Sequence, residues 1–160
     1  MPSTTPDLRP VLLAHDRPAT PARRPGRPGA ERRTAGCLTA ATAASVPALR
    51  RFARGVAAHW GLPTGVDDAL RLVVSELVGN AVRHSGGPDV ALLLSADLST
   101  LAVEVKDNGH WRSRPGRPRY EGELVCGGRG LEIVQAYALR CTVHVRPGGT
   151  HVIAELSLRD

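Results

Sequence analysis

The chain has 160 residues, room for one domain of ordinary size with a tail. Only 3% of them are aromatic, so Val, Leu and Ala must fill the core, and a nucleic-acid surface of stacked rings is disfavoured. The net charge is +6 and Lys106 is the one lysine, so the basic charge is nearly all guanidinium. That charge is uneven: residues 1–35 hold seven Arg against three acids, and the remainder holds fourteen bases against twelve. The near-balanced remainder argues against direct nucleic-acid binding. No apolar run approaches the roughly 18–20 residues that cross a bilayer. Cys37, Cys126 and Cys141 show no metal-binding spacing, and their odd number fits a reducing compartment. Thr34-Ala35-Gly36-Cys37 lacks the apolar stretch of an export signal, so the expected location is the cytoplasm.

Residues 1–35 contain seven of the thirteen prolines and are read as a disordered Arg/Pro-rich arm ahead of a domain at 36–160. His15-Asp16-Arg17-Pro18 imitates a phospho-accepting histidine box but has no helical hairpin around it. Residues 37–42 suggest a short edge strand. Ser45 then offers an N-cap, with Pro47 in the first turn of a helix carrying Leu49, Phe52, Ala53, Val56 and Trp60 at helical spacing. Gly61-Leu62-Pro63 stops it. A second helix is expected over 66–84, with Leu70, Val73, Val74, Leu77, Ala81 and Val82 as its buried stripe. Strands follow at 89–95 and 101–106, linked at Leu98-Ser99-Thr100. Residues 108–127 read as a long loop. A helix begins near Gly130, and strands at 141–146 and 150–158 turn at Pro147-Gly148-Gly149. The order predicts an α/β (α+β) two-layer sandwich, with helices on one face of a mixed, mostly antiparallel sheet.

Three motifs carry chemistry. On the second helix, Glu76, Asn80 and His84 are four apart and share a face. A carboxylate can take a proton from an attacking hydroxyl, and an amide oxygen can ligate a hard cation. A solvated polar helix face is the plainer alternative. Asp107-Asn108-Gly109 ends a strand: the carboxylate can accept from an exocyclic amine such as adenine's, and Gly109 lets the backbone approach a flat ring, although such tripeptides also make ordinary turns. Gly127-Gly128-Arg129-Gly130 precedes a helix, where bare amides can bind phosphate or simply form a hinge. No Gly-Lys-Ser/Thr follows, so this is not a Walker loop.

In this order, and with Gly149-Thr150 behind them, these motifs resemble the GHKL (Bergerat-fold) ATPases. Leu72 to His84 and Gly128 to Val134 carry the likeness, which is greatest to small RsbW-like anti-sigma-factor serine kinases and covers about residues 37–158. The resemblance implies a Bergerat-type sandwich that binds ATP with Mg²⁺. Glu76 corresponds to the general base and Asn80 to the magnesium ligand. Asp107 corresponds to the adenine-reading carboxylate, with Gly109 beside it. Gly128 and Gly130 match the phosphate-binding lid glycines, Thr150 a residue near the adenine pocket, and His84 a supporting group. Where the family often has a small residue after Asp-x-Gly, this chain has Trp111, which bears on the lid formed with Arg112, Arg114, Arg117 and Arg119. The implied activity is a protein serine/threonine kinase acting on a small anti-anti-sigma partner, with a sigma factor as a second partner and room for a homodimer. The alternatives are an ATP-holding sequestering module without catalysis and a stand-alone histidine-kinase-type ATPase domain.

Overall fold

The computed structural model describes residues 9–10, 32–109, 122–124 and 129–159. In chain order the elements are β1 (Arg9–Pro10), β2 (Arg33–Ala40), α1 (Ser45–Trp60), α2 (Val66–His84), β3 (Asp89–Ala96), β4 (Thr100–Asp107), β5 (Gly122–Leu124), α3 (Arg129–Tyr137), β6 (Arg140–Arg146) and β7 (Gly149–Ser157). The strands form one sheet in the order β1-β2-β3-β4-β7-β6-β5, and every pairing among the described residues is antiparallel. The expected two-layer α+β sandwich is what the chain forms.

Alternation builds the sheet's inner face. Val90, Leu92 and Leu94 of β3, Leu101, Val103 and Val105 of β4, and Val152, Ala154 and Leu156 of β7 are all buried. α2 covers them with Leu70, Val73, Val74, Leu77, Val78 and Ala81, each 2% exposed or less. Burying each Leu or Val stabilises the fold by about 1.5–3 kcal/mol, so this aliphatic interlock supplies what the missing aromatics do not. Val82, expected in that stripe, is only half-buried, because the stripe turns past it. α1 packs beside α2 through Leu49, Ala53 and Ala57, and ends at Gly61 in the left-handed conformation, whose N–H donates to Ala58 O at 3.1 Å.

Three local expectations are corrected. Ser45 is not the N-cap of α1: it lies within the helix, and its hydroxyl donates to the Ala40 carbonyl, tying the helix to the end of β2. β2 begins at Arg33, inside the stretch read as the arm, and Pro10 and Arg9 pair with Cys37 and Leu38. The early start has a tertiary cause. Arg33 Nη1 donates to the Trp60 carbonyl at 2.6 Å and its guanidinium lies 5.5 Å from the Trp60 ring, fastening the strand to the end of α1. Finally, β5 pairs with β6 inside the segment read as a continuous loop; three residues are too few to carry a periodicity that would betray a strand.

The link between β3 and β4 is held by one carboxylate. Asp97 Oδ1 accepts from the backbone N–H groups of Ser99 and Thr100 at 2.8 and 2.9 Å, and from both hydroxyls. Burial alone would raise its pKa, but these donors outweigh it and bring it down to about 2. No described helix is long and apolar enough to cross a membrane.

Candidate functional site

α2 provides the acid and the amide. Glu76 and Asn80 lie one turn apart, both half-buried, and the first turn of α3 sits against them. A Cβ at Gly130 would stand 2.6 Å from Glu76 Oε2 and 3.4 Å from Asn80 Nδ2, so any side chain there would displace the glutamate carboxylate. This seat brings the positive end of the α3 dipole beside the Glu76 carboxylate. It also leaves helix-terminal N–H groups, which have no intrahelical partners, near the acid–amide pair.

One participant was not anticipated. Arg83 Nη2 donates to Asn80 Oδ1 at 3.2 Å, so the amide oxygen of Asn80 already has a cationic neighbour. The i,i+3 spacing of the two residues was the available signal.

The second half of the site lies at the end of β4. Asp107 is buried, and its Oδ1 accepts from the backbone N–H of Gly109 at 3.1 Å and of Thr150 at 3.3 Å. Asp107 and Thr150 face each other in the β4–β7 register, which brings together residues far apart in the chain. The Thr150 hydroxyl is buried and has no hydrogen-bond partner, the sole such side-chain atom among the described residues. A buried hydroxyl is ordinarily satisfied, and here a bound molecule or water beside Asp107 would do so. Gly149 holds φ at 138°, and a Cβ on it would run into the Asp107 carbonyl.

The two halves are joined through the end of α2. Gly109 packs against the Ser85 carbonyl, and a Cβ at Gly87 would lie 2.6 Å from Gly109 N. The glycine that the sequence suggested for a flat ring is thus required by the backbone that follows α2. From Glu76 to Ser85 the helix rises about 13 Å, which separates along α2 the seat of Gly130 on Glu76 and Asn80 from the contact of Gly109 with Ser85. His84 lies on the exposed last turn of α2. Gly128, Trp111, Arg112, Arg114, Arg117, Arg119 and Cys126 lie outside the described residues.

The donor set also suits a magnesium ion carried by phosphates. No described cluster of three or more His, Cys, Asp or Glu could hold a metal unaided. Magnesium, which keeps several waters and takes only one or two protein oxygens beside substrate phosphates, does not need one. A groove bounded by Pro63, Val66, Tyr137 and Leu158 shares no residue with the site; Val66 lies about 21 Å from Asn80 along α2.

The family model described as the histidine kinase-like ATPase domain matches residues 39–156, which span both halves of this site. The chain belongs to that family. Histidine kinase-like ATPase domains bind ATP, ordinarily with Mg²⁺, and this membership agrees with the GHKL resemblance of the α2 and α3 motifs. A comparison with curated proteins finds no significant match.

Proposed function

We propose that this histidine kinase-like ATPase domain is a regulatory protein serine/threonine kinase of the anti-sigma-factor type, transferring the γ-phosphoryl of ATP to a small anti-anti-sigma partner. The observation that carries the reading is the seat of Gly130 on Glu76 and Asn80, which joins an acid, an amide and a helix N-terminus around one point. Asp107 would accept a hydrogen bond from the adenine amine, and the unpartnered Thr150 hydroxyl would complete that contact, directly or through water.

In the transfer, the partner's Ser or Thr oxygen bonds to the γ-phosphorus while the bond to the β,γ-bridging oxygen breaks and ADP leaves. Glu76 takes the hydroxyl proton. The amides at the start of α3 stabilise charge on the phosphoryl oxygens. Asn80 would hold the magnesium ion, which neutralises phosphate charge when bound.

The test is incubation with labelled ATP, Mg²⁺ and a small anti-anti-sigma-type protein. Acid-stable phosphoserine or phosphothreonine on the partner, lost in Glu76→Gln while nucleotide binding persists, is the expected result. Partner capture with no transfer would make the chain a sequestering module instead. An acid-labile product on the chain itself would mark a histidine-kinase-type activity.

A further inference from the structure

Resting on the nucleotide reading above, we propose that Arg83 is a positioning residue that occupies the amide oxygen of Asn80 before metal arrives, and that loading of Mg²⁺ with ATP displaces it. Two observations lead here. Arg83 Nη2 donates to Asn80 Oδ1 at 3.2 Å, which is the atom type a magnesium ion would require. Beneath the guanidinium lies Gly79, in the interior of α2, where glycine is unfavourable for a helix.

A Cβ at Gly79 would stand 3.3 Å from Arg83 Nη2 and 3.5 Å from its Cζ and Nη1. The guanidinium thus lies over the bare backbone at 79 and reaches back one turn to Asn80. A guanidinium only donates, so it selects the oxygen end of the amide and presents it in the orientation a cation needs. It cannot stay there once a divalent cation takes the same oxygen, because the two positive charges would sit a few ångströms apart. The exchange makes magnesium loading a competition, and the site resists metal that arrives without phosphates to compensate the charge.

The experiment follows binding of a fluorescent ATP analogue to the full chain while Mg²⁺ is titrated. In Arg83→Ala the Mg²⁺ midpoint should fall about three- to tenfold, the scale of one lost charge-assisted hydrogen bond, with an unchanged melting temperature. Arg83→Gln serves as a second variant and should lower the midpoint less, since it keeps a donor without the charge. An unchanged or higher midpoint in Arg83→Ala, with ATP binding intact, overturns the latch and leaves the nucleotide reading standing. A wild-type chain that binds no nucleotide at any Mg²⁺ concentration overturns both.

Discussion

Gly130 of α3 lies so close to Glu76 of α2 that the smallest side chain would collide with the glutamate's Oε2, at 2.6 Å. The atom met is the far end of a flexible side chain, so the cost of enlarging Gly130 falls on the carboxylate and not on the backbone. Alanine is also the better helix former by up to about 1 kcal/mol. Gly130→Ala should therefore keep or slightly raise the melting temperature while phosphotransfer falls about tenfold or more. Unaltered turnover in that variant would remove Glu76 from the reacting centre.

Thr150 carries a buried hydroxyl without a partner, an arrangement that burdens the free protein. Thr150→Val keeps the shape and deletes the orphan. Thermal unfolding should show equal or higher stability without nucleotide, and calorimetric titration should show ATP affinity reduced about tenfold. A variant that loses stability and keeps its affinity would mean the hydroxyl serves the fold.

Asp107→Asn keeps an oxygen able to accept from the Gly109 and Thr150 amides, so the strand ends should survive. What changes is the second oxygen, which becomes a donor facing the donor amine of adenine. ATP affinity should drop by roughly tenfold or more. Discrimination against GTP should weaken with it, measured by competition between the two nucleotides.

Two carboxylates set an acid limit on stability. Asp97 is brought down to about 2 by the turn donors that outweigh its burial, and the hydrogen bond from His151 at 2.9 Å holds Glu104 below the usual range. Both are depressed relative to the unfolded chain, where such groups titrate near about 4. Their contribution is fully present above that value and is lost as pH falls through the folded pKa values. The melting temperature should decline between about pH 4 and pH 2. Asp97→Asn should flatten that decline and lower the plateau at neutral pH.

Gly109→Ala tests the join between the halves of the site. The added methyl meets the Ser85 carbonyl, backbone that cannot swing aside, so about 3 kcal/mol or more of stability should be lost. Urea unfolding would register this, and nucleotide binding should fail in parallel.

The regularities of this chain are local, and they were legible. Leu70, Val73, Val74 and Leu77 recur with the helical period, and Val90, Leu92 and Leu94 alternate, because each element must bury one face. The Glu76–Asn80 spacing and the glycine before Leu131 are equally local, which is why the candidate site could be named ahead of its geometry. Register, close approach and satisfaction of hydrogen bonds are not local. Ser45 looks like a cap until the end of β2 claims its hydroxyl, and Arg33 looks like part of a tail until Trp60 holds it.

By itself the sequence determined which residues could bury a face and which could do acid, amide and phosphate chemistry, since side-chain chemistry and periodicity belong to the chain. Only the tertiary structure decided that Gly130 seats on Glu76 and that Thr150 backs Asp107 with an unsatisfied hydroxyl. Distances between groups remote in sequence exist only after the sheet and its helices have packed.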